Sequence, residues 1–187
     1  LGMATVTNST VTGNTATTTG GGIYNYSGTL TVTNTIVAAN AATSGADLSG
    51  LVATGGHNLF GTTSGATITL GSGDLVNPNP RLGPLGNNGG PTQTVPLLKG
   101  SSTIDAGDDA VCAQTGAGKV NNVDQRGVTR PFGAHCDIGA FEYQEPNALP
   151  APRPGGTPGG VPNALPGSRP AGTTGGPTPN PLPAPRP

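Results

Sequence analysis

The chain has 187 residues, a formal net charge of −1 and charged residues at only 9% of its positions, against about 25% in an average globular protein. The balanced charge excludes the basic surface that nucleic-acid-binding proteins carry. No apolar run approaches the roughly 18 residues of a membrane-spanning helix. Residues 146–187 contain 14 of the 20 prolines. We predict that this Pro/Gly-rich tail is a disordered, partly polyproline spacer, with a role as a PxxP ligand as the alternative.

A repeat of 26 residues organises the first part of the chain. Residues 5–14 return as residues 31–40 with six of ten positions identical, mostly Thr, Val and Asn. Repeats of this kind are typical of stacked β-architectures. We therefore predict an all-β protein in which residues 1–73 form the C-terminal coils of a right-handed parallel β-helix, a single-stranded solenoid. Strands are expected at residues 22–25, 30–33, 35–38 and 66–70.

Four asparagines fall at the expected corners of the coils, namely Asn8, Asn14, Asn34 and Asn40. Asparagine tolerates left-handed backbone better than most residues, which suits a corner. Asparagines that stack on one another can also form hydrogen-bonded amide ladders. The alternative is that these residues only make turns and form no ladder.

Residues 74–145 are irregular and hold most of the charge, and we predict that they form a C-terminal cap on the coils. The two cysteines of the chain, Cys112 and Cys136, lie 24 positions apart without a CxxC motif. A disulfide in an oxidising compartment is the favoured interpretation, and two free thiols are the alternative. Other residues of the cap are expected to form structural ion pairs. Asp105 and Asp124 are expected to pair with Arg126 or Arg130, and the sequence spacing favours the pairs Asp124–Arg126 and Arg130–Asp137.

Two groups of residues are candidates for binding a ligand. Tyr24 and Tyr26 alternate on one strand and so point to the same side, where they could stack on a sugar ring or form an aromatic ladder. Asp105, Asp108 and Asp109 place three hard oxygen donors within five residues, which suits Ca²⁺. The competing interpretation is that these carboxylates satisfy the backbone of a loop. The sequence indicates no cofactor apart from this Ca²⁺ possibility.

Four sequence blocks occur in the order typical of one protein family. The blocks are residues 56–61 (GHNLFG), 80–92 (PRLGPLGNNGGPT), 102–108 (STIDAGD) and 124–143, which runs from DQRG through RP to CDIGAFEY. In these blocks the chain resembles the choice-of-anchor Q domain proteins. The resemblance implies an exported bacterial protein with a pectin-lyase-like β-helix and a C-terminal anchoring device, and it supplies no catalytic residues.

The coils are also similar to the repeats of chlamydial polymorphic outer membrane proteins, through Gly21-Gly22-Ile23 and the spacing from Val37 to Asn40. The sequence shows no signal peptide and no sortase-type motif. We therefore expect this chain to be the C-terminal piece of a longer extracellular or cell-surface protein.

Three functions are compatible with these features. The favoured one is a non-catalytic adhesion or matrix role, with a polysaccharide or another cell surface as partner and the proline-rich tail as spacer. A polysaccharide lyase or glycoside hydrolase is the second, but residues 1–61 contain a single acidic residue, Asp47, and no Lys or Arg. Its active site would therefore lie in N-terminal coils outside this chain. The third is a filament or sheath subunit that associates end to end.

Overall fold

A computed structural model describes residues 2–145, and the predicted tail lies outside the described residues. All nine strands of the described residues belong to two parallel sheets. The first sheet contains β1 (Met3–Thr7), β3 (Ile23–Asn25), β4 (Thr29–Thr33), β6 (Leu48–Gly56) and β8 (Ala66–Ile68). The second contains β2 (Thr10–Val11), β5 (Ile36–Val37), β7 (Leu59–Phe60) and β9 (Leu75–Val76). One short helix, α1 (Asp109–Cys112), lies in the irregular segment that follows.

The 26-residue repeat places like residues side by side on neighbouring strands. In the pairing of β1 with β4, Thr5 lies opposite Thr31 and Val6 opposite Val32. In the pairing of β2 with β5, Val11 lies opposite Val37. Thr and Val are β-branched and favour extended backbone, and uncharged residues can lie about 4.8 Å from their own copies without repulsion. The repeat therefore explains both the strands and their register.

The prediction of a right-handed parallel β-helix is wrong. The strands form two small sheets that curl like half a barrel, and residues 2–145 show no clear right-handed solenoid. Solenoids stack similar structural repeats, whereas the spacing between paired residues shortens along the second sheet. Thr10 pairs with Ile36, Ile36 with Leu59, and Leu59 with Leu75, so the spacing falls from 26 to 23 to 16 residues.

Two hydrophobic cores lie on opposite faces of the second sheet. Val37 and Phe60 pack with Leu48 in a core shared with the first sheet. Their neighbours Ile36 and Leu59 point the other way, into a second core completed by residues of the irregular segment, which are Leu97, Ile138 and Phe141. A parallel sheet is usually covered on both faces. Residues 80–143 provide the second cover here, and this packing brings their charged residues against the strands.

Candidate functional site

Two turns between β1 and β2 and between β4 and β5 form the centre of the site. Asn8 and Asn34 both have left-handed backbone, with φ of 47° and 51°, a conformation that asparagine adopts more readily than most residues. The Nδ2 of Asn34 donates to the Oδ1 of Asn8 at 3.0 Å. The buried Asn34 amide also accepts the N–H of Asp108 at 2.8 Å. This pair therefore joins the two repeats to the segment that carries α1.

A second asparagine pair lies further along the same repeats. The Nδ2 of Asn14 donates to the Oδ1 of Asn40 at 3.0 Å. The left-handed residues at this turn are the preceding ones, Gly13 and Ala39, with φ of 71° and 58°. The four predicted asparagines thus form two hydrogen-bonded pairs, but only Asn8 and Asn34 take the left-handed conformation themselves.

Cys112 and Cys136 form the predicted disulfide. Both cysteines are buried, and the Nδ2 of Asn34 lies 3.3 Å from the Sγ of Cys112. The disulfide therefore packs directly against the Asn8–Asn34 pair. It connects α1 with the start of the buried segment that contains Ile138.

Next to the disulfide lies a cluster of buried charges. Arg126 pairs with Asp124 at 2.7 Å, as the sequence predicts, and its guanidinium lies 3.5 Å from the centre of the Phe141 ring. Arg130 is almost fully buried and lies 3.4 Å from Glu142. A residue that the sequence prediction missed, Glu142, is therefore its carboxylate partner. The only signal for it is an acidic residue between the two aromatic residues at the end of CDIGAFEY.

Two predicted ion pairs do not form. Arg130 donates to the backbone carbonyl of Asp137 at 3.2 Å rather than to its carboxylate. The Asp105 carboxylate accepts the N–H of His135 at 3.1 Å, and among the described residues it has no salt bridge to Arg126 or Arg130.

The buried carboxylates of the cluster hold loop backbone in place. Glu142 accepts the N–H groups of Phe132 and Asp137 at 2.8 and 3.1 Å. Asp137 in turn accepts the N–H of Asp105 at 2.8 Å. Burial raises the pKa of Glu142 to about 7 and the pKa of Asp137 to about 6, because the surroundings penalise the charged form. Both carboxylates therefore have raised pKa values, and both accept hydrogen bonds from backbone N–H groups.

The three aspartates proposed for Ca²⁺ have separate contacts. Asp108 caps α1 by accepting the N–H of Ala110 at 2.8 Å. Asp109 accepts the N–H of Cys136 and contacts the Nδ1 of His135, both at 2.8 Å. This contact raises the pKa of His135. In the described part of the chain, no group of three or more His, Cys, Asp or Glu residues is placed to hold a metal ion.

The acidic residue of the repeat region, Asp47, is also engaged. It is buried, accepts the N–H of Asn40 at 3.0 Å through Oδ1, and accepts the N–H of Thr62 at 2.9 Å through Oδ2. These contacts connect the turn after β5 with the turn after β7. Its carboxylate therefore supports the turns between strands.

Tyr24 and Tyr26 lie at the surface beside each other. Their exposed fractions are 49% and 84%, and their ring centres are 6.0 Å apart in an edge-to-face arrangement with an interplanar angle of 71°. The two rings form an aromatic pair without forming one flat platform. Tyr26 leaves most of its ring accessible to a partner.

Comparison of the chain with protein-family models, with curated proteins and with solved structures gives no match. Among residues 2–145, no helix has the length and apolar character needed to cross a membrane. The resemblance to choice-of-anchor Q domain proteins therefore stays a prediction.

Proposed function

We propose that this chain is an extracellular or cell-surface protein with a non-catalytic role in adhesion or in an extracellular matrix. The observation that carries the proposal is the buried disulfide against the Asn8–Asn34 pair. Disulfides persist in oxidising environments and are rare in the cytosol of most organisms. A location outside the cell also agrees with the exported bacterial family that the sequence blocks resemble.

The non-catalytic part of the proposal is supported by the state of the acidic residues. Hydrolysis of a glycosidic bond needs two carboxyl groups that face the same substrate. Here Asp124 contacts the partly buried Arg126, Glu142 contacts the buried Arg130, and Asp47 holds two turns. Their oxygens accept backbone N–H groups, which is the pattern of structural carboxylates.

The surface around Tyr24 and Tyr26 is the candidate contact for a polysaccharide or another cell surface. Tyrosine presents a large apolar face together with a hydroxyl group, and it is common where proteins meet partners. Leu51, 63% exposed, lies on the neighbouring strand of the same sheet, because β3 pairs with β6. Strands β3 and β6 contain no Asp, Glu, Lys or Arg, which suits a neutral glycan better than a polyanion.

The location is tested on cells that produce the chain. Intact cells are treated with a protease, and free thiols are alkylated before lysis. We expect the chain to be cleaved on intact cells and to carry Cys112 and Cys136 as a disulfide in peptide mass spectrometry. Protection from the protease together with two alkylated thiols would contradict the extracellular location.

Adhesion is tested with beads that carry the 187-residue chain. Their retention on immobilised neutral and acidic polysaccharides and on cell layers is compared with that of beads carrying the double variant Tyr24→Ala/Tyr26→Ala. We expect the double variant to bind about tenfold more weakly, which corresponds to about 1.4 kcal/mol. Leu85→Ala is the matched control, because Leu85 is also an exposed apolar residue, at 63%, but lies in the irregular segment.

The enzyme alternative is tested on the same polysaccharides. Reducing ends and unsaturated products are measured with and without Ca²⁺. Product release by the chain would contradict the non-catalytic proposal. Equal retention of the wild-type and double-variant beads would contradict the role of the tyrosine pair.

A further inference from the structure

Three cavities in the described part of the chain line one edge of the two sheets. A cavity of about 570 Å³ borders Thr5 and Thr7, one of about 410 Å³ borders Asn8 and Thr10, and one of about 610 Å³ borders residues 10–14. The floor of all three is the first repeat, residues 5–14. Their walls come from residues 118–125 with Arg130 and Ala140, and from Gly83, Leu85 and Val95. We call this concave surface the repeat-edge trough.

The floor of the trough consists of sheet edges. β1 ends the order of strands in the first sheet, and β2 ends it in the second. Successive residues of a parallel strand direct their N–H and C=O groups to opposite neighbours. The carbonyl of Gly2 and the N–H of Asn8 point toward β4, so the backbone groups of Thr5 and Thr7 point into the trough. Exposed strand edges of this kind accept additional strands.

Natural proteins protect such edges with charged residues, proline or bulges. Residues 2–14 contain no charged residue and no proline, and the pairing of β1 with β4 runs without a bulge from Met3 to Thr7. The edge is therefore open to pairing, and the concave walls restrict what can reach it. A single extended segment fits this geometry better than a broad folded surface.

Residues of the second repeat are more deeply buried than the equivalent residues of the first repeat. Val32 and Val37 are fully buried, whereas their counterparts Val6 and Val11 are only partly buried. Asn34 is likewise fully buried and donates to the Oδ1 of Asn8. Among the described residues, the Nδ2 of Asn8 has no protein acceptor, and Asn8 lines the cavity on this side. The difference is that the second repeat has a strand beside it on this side.

We infer that the repeat-edge trough is a binding site for a polypeptide segment that carries another copy of the Thr/Val/Asn repeat. The segment adds in parallel register beside β1 and β2, in the way that β1 pairs with β4. Its first asparagine offers Oδ1 to the Nδ2 of Asn8. Its valines complete the burial of Val6 and Val11. The inference stands on the strand edges and is independent of the proposed extracellular location.

The test uses the complete 187-residue chain and a labelled peptide with blocked ends that has the sequence of residues 3–14, MATVTNSTVTGN. Fluorescence anisotropy is expected to show saturable binding of this peptide. A scrambled peptide should not bind. A peptide with Val6→Pro loses a backbone donor directed at the trough, and we expect it to bind at least about tenfold more weakly. A peptide with Asn8→Ala loses one amide contact and should bind about fivefold more weakly.

The chain itself is tested with Thr5→Pro and with the matched control Thr5→Val. The N–H of Thr5 points into the trough and away from β4, so proline is compatible with the internal pairing there. We expect Thr5→Pro to weaken peptide binding at least about tenfold and Thr5→Val to change it less than about twofold. The peptide variants, which leave the chain unchanged, keep the test valid if Thr5→Pro folds poorly.

Three results would overturn the inference. The first is the absence of saturable binding of the wild-type peptide at about millimolar concentration. The second is equal binding by the scrambled and wild-type peptides. The third is self-association of the chain in sedimentation experiments that Thr5→Pro abolishes, because the occupant of the trough would then be a second copy of the folded chain.

Discussion

Removal of the disulfide with the double variant Cys112→Ala/Cys136→Ala should destabilise the chain strongly. The two cysteines are 24 residues apart in sequence, and the chain-entropy relation gives about 3.5 kcal/mol for closing a loop of this size. The contacts around the sulfur atoms, with Asn34 and with the guanidinium of Arg130, act in the same direction. We therefore expect the free energy of unfolding to fall by about 3–4 kcal/mol.

The assay is urea unfolding followed by circular dichroism, with wild type and double variant measured in the presence and absence of a reductant. The reductant should lower the midpoint of the wild type toward that of the variant, and it should leave the variant unchanged. This second comparison separates the loss of the bond from the loss of side-chain volume. A fall in unfolding free energy of less than about 1 kcal/mol would refute the argument that the disulfide holds the irregular segment on the sheet.

Three further predictions concern single residues. Burial raises the pKa of Glu142 from 4.5 to about 7. Its contribution to stability is therefore complete below pH 4.5 and is lost as the pH rises through 7, so the urea midpoint of Glu142→Gln should depend less on pH over this range than that of the wild type. An unchanged pH profile would contradict this. Asn34→Ala removes the acceptor of the Asp108 N–H and the donor to the Oδ1 of Asn8. It should lower the free energy of unfolding, measured by thermal unfolding, by about 2–4 kcal/mol, and substitution of an exposed turn asparagine should cost less. Gly139→Ala places a Cβ 2.8 Å from the Cδ1 of Ile36 and should lower the free energy of unfolding by at least about 2 kcal/mol. Gly89 has a similar φ but no neighbour within 4 Å, so Gly89→Ala is the control for backbone strain. Equal losses of unfolding free energy in the two variants would exclude the clash.

Parts of the candidate site could be predicted because they depend on residues near one another in sequence or on a visible repeat. The Asp124–Arg126 pair is two residues apart, and the asparagine pairs recur at the 26-residue spacing. The disulfide followed from the presence of only two cysteines. In contrast, the contact of Asn34 with Asp108 joins residues 74 positions apart in different kinds of segment. No local pattern predicts such a contact, because it depends on the path of the irregular chain between them.

The carboxylate partner of Arg130 is a second contact that the local sequence pattern does not predict. Asp137 was the expected partner because of its sequence spacing, but the carboxylate next to the guanidinium belongs to Glu142. A buried guanidinium is stabilised by whichever acceptors surround it after folding, and the turn after Asp137 directs its carboxylate to backbone N–H groups instead.

By itself, the sequence determined where the early strands lie and which residues pair, since β-branched residues at a 26-residue repeat favour extended segments that match their own copies. Strands predicted at 22–25, 30–33 and 35–38 are present as β3, β4 and β5. Only the tertiary structure decided the architecture. The spacing between paired residues shortens after Val37, so the strands form two curled sheets rather than a solenoid. The irregular segment then covers one sheet, because Ile36 and Leu59 present a second apolar face that must be buried.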